Sequence, residues 1–217
     1  FSPPRIGTRH VPRTALLAQL KRMHHCKLAL VTGAAGYGKT TLMAQWRQDR
    51  LMAGAEVAWV SLTVEDKGYA AFCSALFEGL RRLGIEVDID LLREDNTMPA
   101  IEACVAIIVE AAAMQSKELY LIVDDYHHVV IPHAHRLIQK LLDQSPGNLH
   151  LVLVSRVNPP LSLSRLRVMD QLVEIESVEL PFDLAETRTF VEENLGTDKI
   201  NADELSLIQD LTSGWPS

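Results

Sequence analysis

Short apolar runs alternate with longer amphipathic segments along the chain, and this pattern predicts a sheet covered by helices. The apolar runs predict strands at about 27–32, 57–62, 119–123, 149–154 and 172–175. The amphipathic segments predict helices at about 14–24, 41–50, 70–83, 99–114, 133–144, 184–194 and 203–212. Strands that alternate with helices form parallel sheets buried on both faces. We therefore predict an α/β fold in three layers, α/β/α.

The segment between the first strand and the next helix reads GAAGYGKT and fits the pattern G-x-x-x-x-G-K-[ST] of a phosphate-binding loop. Glycines there let backbone N–H groups point at phosphate oxygens, and the following helix N-terminus adds partial positive charge. Lys39 is expected to reach the β- and γ-phosphates and Thr40 to ligate Mg²⁺. The predicted nucleotide contacts are Gly33, Ala34, Ala35, Gly36, Tyr37, Gly38, Lys39, Thr40 and Thr41. The fold class becomes a P-loop NTPase with a five-stranded parallel sheet in the order 5-1-4-3-2.

The third predicted strand ends in two carboxylates, Asp124 and Asp125. Ligands of open α/β sheets lie at the carboxyl ends of the strands. Asp124 is the candidate for holding Mg²⁺, and Asp125 for orienting or deprotonating the attacking water. Aspartate is one methylene shorter than the glutamate that many ATPases place at the second position, so we expect slow hydrolysis.

The fourth predicted strand ends in Ser155-Arg156. A cation at this edge is suited to sense the γ-phosphate and to link its loss to domain movement. The alternative is an exposed arginine that pairs with a surface carboxylate.

Composition restricts the partners and the compartment. The 217 residues are 47% hydrophobic and 23% charged with a net charge of −7, so this chain has no basic footprint for nucleic acid. It has neither the ~18-residue apolar run of a membrane span nor a signal-peptide core, so we expect a cytoplasmic location.

Cys26, Cys73 and Cys104 are predicted to be reduced, packed thiols. The histidines at 127, 128, 133 and 135 fit no ligand spacing and are predicted to be solvated.

Three regions are expected. Residues 1–26 form an N-terminal segment and a helix, residues 27–178 the ATPase domain, and residues 179–217 the beginning of a helical domain, because no strand separates the last two helices. The chain does not begin with Met, and we interpret it as a piece of a longer protein.

Five segments together resemble a known family: GAAGYGKTT, LYLIVDDYHHV, LHLVLVSRVNPPLSLSRLR, QLVEI and LPFDLAET. They are similar to the LuxR-type transcription regulators related to the maltose-regulon activator, in the STAND class of P-loop ATPases. The resemblance covers nearly the whole chain. The phosphate loop is common to many ATPases, whereas the Asp-Asp-Tyr-His run followed by Ser-Arg and Pro-Pro-Leu is more specific.

This resemblance implies further contacts and a mechanism. Val11-Pro12-Arg13 matches the segment that lines the adenine, with Val11 and Arg13 as contacts, and Gly214-Trp215-Pro216 matches an element whose proline, Pro216, approaches the nucleotide in the resting form. The implied protein is a switch in which ADP favours a closed monomer and ATP favours a self-associating form. DNA binding would then belong to domains absent from this chain.

Two other functions are compatible with the phosphate loop. A stand-alone P-loop small-molecule kinase or ATPase would require an acceptor pocket and an arginine-rich lid, and the sequence has no such lid. A binding module with an inactive nucleotide site is disfavoured because Lys39, Thr40, Asp124 and Asp125 are all present.

Overall fold

Five parallel strands form the sheet that the apolar runs predict. In the computed structural model, which describes residues 10–86, 98–195 and 200–215, they are β1 (Leu28–Thr32), β2 (Glu56–Ser61), β3 (Leu119–Asp124), β4 (Leu149–Ser155) and β5 (Leu172–Ile175). The sheet order is β2-β3-β4-β1-β5, which confirms the predicted order 5-1-4-3-2. All four neighbouring pairs are parallel.

Helices precede, connect and follow the strands, close to the predicted positions. They are α1 (Thr14–Leu20), α2 (Lys39–Met52), α3 (Tyr69–Arg82), α4 (Met98–Ala113), α5 (Pro132–Gln144), α6 (Ser164–Val168), α7 (Leu184–Leu195) and α8 (Ala202–Thr212). Among the described residues, three segments are 3₁₀ turns: Lys21–His25, Val64–Lys67 and Tyr126–His128. The first of these replaces the last turn of the helix predicted at 14–24.

The strands are buried on both faces, as expected of a central parallel sheet. Leu28 and Leu30 of β1 pack into one apolar cluster, whereas Ala29 and Val31 pack into the other. Cys26, Cys73 and Cys104 are buried free thiols, as predicted. Burial raises the pKa of the Cys73 thiol to about 11, so this thiol stays protonated at neutral pH.

The strand register brings the predicted site residues to one edge of the sheet. Thr32 at the end of β1 lies opposite Ser155 at the end of β4, and Asp124 of β3 lies opposite Ser61 of β2. The amide of Gly33 donates to the carbonyl of Ser155 at 3.2 Å, which extends the β1–β4 ladder into the phosphate loop. The loop therefore begins at a fixed point of the sheet edge.

The segment after β5 ends in the helix pair α7 and α8. Phe182 donates its amide to the carbonyl of Gly214 at 2.7 Å, and the Gln209 amide side chain donates to the carbonyl of Phe182 at 2.8 Å. A Cβ at Gly214, where φ is 73°, would lie 2.3 Å from that carbonyl oxygen, so this close approach requires glycine. Within the described ranges, none of the helices combines the length and the apolar character needed to cross a membrane.

Replacement of Gly79 by alanine tests how closely α3 packs on the sheet. A Cβ there would lie 2.5 Å from Val60 Cγ2 and 2.9 Å from Leu121 Cδ1, both buried. Overpacking costs about 1–3 kcal/mol, and the better helix propensity of alanine returns about 1 kcal/mol. We expect Gly79→Ala to lower the free energy of unfolding in urea by about 1 kcal/mol net. Gly147→Ala, where a Cβ meets nothing within 4 Å, is the control, and equal stability of the two variants would contradict the prediction.

Candidate nucleotide-binding site

The loop between β1 and α2 has the backbone of an anion cradle. Gly36 and Gly38 have φ angles of 81° and 73°, in the left-handed region that favours glycine. Helix α2 begins directly after Gly38, whose carbonyl accepts from the amide of Leu42 at 2.8 Å. Amide groups of the first helical turn have no partner within their own helix, and they face the loop with the positive end of the helix dipole.

The side chain of Lys39 lies inside the loop. Its Nζ donates to the carbonyls of Gly33 and Ala34, both at 2.7 Å, and the residue is 8% exposed. Burial lowers the pKa of Lys39, while Asp124 and Asp125 act in the opposite direction. The ammonium group is thus held by the loop backbone and is electrostatically coupled to both carboxylates.

Thr40 and Asp124 form a pair of oxygen ligands at the end of β3. Thr40 Oγ1 donates to Asp124 Oδ2 at 3.1 Å, and Asp124 Oδ1 accepts from the amide of Asp125 at 2.9 Å. Burial and the neighbouring Asp125 raise the pKa of Asp124, because both disfavour its charged form. A hydroxyl beside a buried carboxylate fits Mg²⁺, which takes hard oxygen ligands and would compensate the buried charge.

Asp125 and Arg156 face the loop across a cavity of about 310 Å³. The cavity is lined by Ala35, Gly36, Gly38, Lys39, Thr40, Thr41, Asp125 and Arg156. Asp125 has a φ of 56°, an uncommon conformation for a residue other than glycine. Ser155 Oγ accepts from the amide of Val157 at 3.3 Å and donates to its carbonyl at 2.6 Å, which fixes the turn around Arg156.

A second cavity of about 220 Å³ adjoins the first and shares three residues of the loop and of α2 with it. It is lined by His10, Val11, Arg13, Gly36, Gly38, Thr41, Leu42, Gln45, Phe182 and Phe190. Gln45 Nε2 donates to the carbonyl of Val11 at 3.0 Å, and Gln45 Oε1 accepts from the amide of Arg13 at 3.4 Å. This buried glutamine fixes the N-terminal segment against the phosphate-loop helix. Sequence reasoning missed it, because a lone glutamine on a helix gives no signal.

The guanidinium group of Arg13 is directed at the segment after β5. Its Nε lies 3.0 Å from Glu186 Oε1, its Nη2 donates to the carbonyl of Pro181 at 3.3 Å, and it lies 5.0 Å above the ring of Phe182. The side chains of Arg13 and Glu186 are 5% and 15% exposed. Arg13 therefore lines the second cavity and also joins the N-terminal segment to α7. Pro216, which the resemblance expects to approach the nucleotide, lies outside the described residues.

The histidines at 127, 128, 133 and 135 do not form the solvated group that we predicted. His135 lies on α5, where its Nδ1 is 2.9 Å from the hydroxyl of the buried Tyr126. Both ring nitrogens of His127 are buried. The prediction was wrong because tertiary packing buries both ring nitrogens of His127 and Nδ1 of His133, and places the His135 ring against Tyr126. The parts of the chain that the structure describes contain no group of three or more metal-ligating side chains.

A family model described as "AAA domain" matches residues 21–158, well over half of the chain. The chain belongs to the AAA domain family. The match contains the phosphate loop, the two aspartates and Arg156, so the cavity described above lies at the P-loop of an AAA ATPase domain. It leaves out the N-terminal segment and everything after residue 158.

Solved structures with the same fold extend beyond that match. The Signal Transduction ATPase with Numerous Domains (STAND) protein with a tetratricopeptide repeat sensor from Pyrococcus horikoshii has a TM-score of 0.64 and 18% identity over 99% of this chain. The Aeropyrum pernix ORC1 protein in complex with DNA has a TM-score of 0.51 and 15% identity over 94%. Drosophila ORC bound to DNA has a TM-score of 0.50 and 15% identity over 81%. At these identities the likeness concerns the fold.

The chain spans a limited part of the first two of these proteins. It covers 30% of the STAND protein, 56% of the Aeropyrum ORC1 chain and 94% of the Drosophila chain. The STAND structure is similar to nearly the full length of this chain, including the helices after β5.

A double-mutant cycle on Arg13 and Glu186 tests the contact between the N-terminal segment and α7. Because this ion pair is mostly buried, we expect Arg13→Ala and Glu186→Ala to be coupled by about 1–3 kcal/mol in the free energy of unfolding. The exposed pair Arg22 and Asp170, with side chains 58% and 82% exposed, is the control, and its coupling should stay below about 1 kcal/mol. A coupling energy for Arg13 and Glu186 no larger than that of the control would refute this role.

Proposed function

We propose that this chain is the ATP-binding, slowly hydrolysing switch domain of a LuxR-type transcription regulator of the STAND class. The observation that carries the proposal is the convergence of the Gly33–Thr41 loop, the Thr40–Asp124 pair, Asp125 and Arg156 around one cavity. A nucleotide triphosphate needs this combination of amide donors, cations and a metal-holding carboxylate. The fold similarity to a STAND protein over 99% of the chain supports the choice of class.

The loop residues have separate roles in this proposal. The amides of the 33–41 loop bind the phosphate oxygens, and Lys39 exchanges the carbonyls of Gly33 and Ala34 for the β- and γ-phosphates. Thr40 and Asp124 hold Mg²⁺, which neutralises charge on the phosphates when it is bound. Burying Asp124 as an anion costs free energy, and a bound cation offsets that cost.

The carboxylate of Asp125 acts on the attacking water. Its side chain is 45% exposed and faces the same cavity as Arg156. Arg156 binds the γ-phosphate across the cavity and stabilises negative charge that builds up there. Loss of that phosphate leaves Arg156 without its partner, so hydrolysis changes the contacts at the carboxyl edge of the sheet.

The second cavity takes the adenine base and transmits the nucleotide state. Its lining comes from the N-terminal segment, from α2 and from the segment after β5, through Val11, Gln45 and Phe182. A base in this cavity contacts all three regions at once, so its binding favours one arrangement of them. Because the Arg13–Glu186 pair joins two of these regions, it is the contact through which α7 responds.

The nucleotide state of this domain controls self-association of the whole protein. ATP favours a form that self-associates, and ADP favours a closed monomer. With a net charge of −7, this chain is not the part that binds DNA. DNA binding belongs to other domains of the regulator, outside residues 1–217.

Calorimetric titration with Mg–ATP tests the site. We expect the wild-type chain to bind, Lys39→Ala to lose measurable binding because the phosphates lose their main cation, and Arg156→Ala to retain it because the loop and Lys39 supply most of the affinity. Lys140→Ala, which removes a half-buried lysine on α5 that pairs with Glu102 and lines neither cavity, is the control for charge and should bind like the wild type. Absence of binding by the wild-type chain would refute the proposal.

The short side chain of Asp125 predicts slow turnover. We expect a kcat below about 10 s⁻¹, the median for enzymes. Asp125→Glu extends the carboxylate by one methylene and should raise the kcat. Asp125→Asn should lower it about 100-fold or more, because the amide is a poor base. Steady-state phosphate release measures all three proteins, and a wild-type kcat above 10 s⁻¹ would contradict the assignment.

A further inference from the structure

A buried glutamine, Gln45, lies on the side of α2 that faces the second cavity and is only 7% exposed. Its neighbours on the helix, Leu42, Met43 and Trp46, are buried in an apolar cluster. Glutamine is mostly exposed in proteins, and burial of a polar group costs free energy unless its hydrogen bonds are made. The burial of Gln45 therefore depends on the hydrogen bonds of its carboxamide.

Both ends of this carboxamide bind the main chain of the N-terminal segment. Nε2 donates to the carbonyl of Val11 at 3.0 Å, and Oε1 accepts from the amide of Arg13 at 3.4 Å. A carboxamide offers a donor and an acceptor side by side, which is what a carbonyl and an N–H two residues apart require. Gln45 thus takes the place that one residue of a neighbouring parallel strand would take.

These two hydrogen bonds hold a segment that has no regular structure of its own. Residues 10–13 precede α1 and belong to no helix or strand. Val11 and Arg13 are 5% and 4% exposed, so water has little access to replace a lost partner. Removal of the carboxamide would leave a nearly buried carbonyl and a nearly buried N–H without these partners, and the segment would lose its ordered position.

The segment that Gln45 holds is one wall of the cavity assigned to the base. Val11 and Arg13 line this cavity together with Gln45. Thr41 lies one turn before Gln45 on the same face of α2 and lines both cavities. Because the carboxamide is engaged with the main chain, Gln45 acts on a base through the wall that it holds.

We propose that Gln45 is a positioning residue for the nucleotide base, which holds residues 11–13 as an ordered wall of the second cavity before the nucleotide binds. The inference rests on the proposed function, because it concerns how the same site binds the base. An ordered wall removes the free-energy cost of fixing the segment at the moment of binding. The proposal also accounts for a glutamine within an otherwise apolar stretch of α2.

Gln45→Met tests this role, because methionine has a similar length and volume but makes neither hydrogen bond. We expect the variant to bind Mg–ATP and Mg–ADP about 10-fold more weakly, by the same factor for both, because the ordered wall is then only partly populated. Binding of inorganic tripolyphosphate with Mg²⁺ should change less than about twofold, because its phosphates contact the loop and not the wall. Titration calorimetry measures the three ligands.

Steady-state kinetics distinguishes positioning of the base from a role in the reaction itself. We expect Gln45→Met to raise the KM for ATP about 10-fold and to change the kcat less than about twofold, because it removes uniform binding. A lower kcat at an unchanged KM would contradict the proposal.

Gln48→Met is the matched control, since it makes the same substitution on the same helix at an exposed position that lines neither cavity. It should leave all three affinities at their wild-type values. The proposal is overturned if Gln45→Met binds Mg–ATP as tightly as Gln48→Met. It is also overturned if Gln45→Met loses tripolyphosphate as much as ATP, because that result assigns to Gln45 a role in folding alone.

Hydrogen exchange tests the wall without any nucleotide. In the wild type we expect slow exchange of the Arg13 amide, because it donates to Gln45 Oε1. In Gln45→Met this amide should exchange about 10-fold faster, whereas the Leu42 amide, which donates to the Gly38 carbonyl, should be unchanged. Equal protection of Arg13 in the two proteins overturns the role of Gln45 alone. Absence of Mg–ATP binding by the wild type refutes the proposed function, and the role of Gln45 in base binding with it.

Discussion

The register of the parallel strands is the constraint on which the rest of the site depends. β1 lies between β4 and β5, and its pairing places Thr32 opposite Ser155. The phosphate loop begins one residue later and is tied to β4 by the Gly33–Ser155 hydrogen bond. A slip of one residue would reverse which side chains face each apolar cluster and would move the loop relative to Asp124. The apolar core thus fixes the polar site, although no polar residue of the site contributes to that core.

The charges at this edge are arranged for a ligand. Asp124 is 3% exposed beside a second carboxylate, and its compensation comes from the Thr40 hydroxyl, the Asp125 amide and the neighbouring Lys39. Lys39 is in turn solvated by two loop carbonyls, which are poor substitutes for an anion. A magnesium ion with a triphosphate would compensate both groups at once. The site is therefore assembled before the ligand binds. The packing of the sheet offsets the free-energy cost of burying its charged groups.

The sequence predicted the sheet and the loop because their signals are local. The five apolar runs predict the bounds of the five described strands to within two residues. The motif at 33–40 predicts the position of the phosphate loop. The features that sequence reasoning missed are contacts between residues far apart in the sequence. Gln45 and Glu186 bind the N-terminal segment through partners 34 and 173 residues away, which no spacing reveals. The histidines after Asp125 were predicted to be solvated because polar residues after a strand usually are, yet tertiary packing buries the nitrogens of His127.

Asp125 and Arg13 each depend on neighbouring groups that sequence reasoning did not select. The left-handed backbone at Asp125 turns its carboxylate towards the cavity and stacks the following 3₁₀ turn beneath it. Gln45 fixes the main chain on both sides of Pro12, and the Arg13 side chain extends from there to Glu186. In the proposed switch, a nucleotide between these two supports would touch one through its phosphates and the other through its base. The distance between them is set by α2, which begins in the phosphate loop and carries Gln45 about two turns later. The same helix therefore contributes residues to both cavities, so in the proposed switch it would contact the nucleotide at its phosphates and at its base.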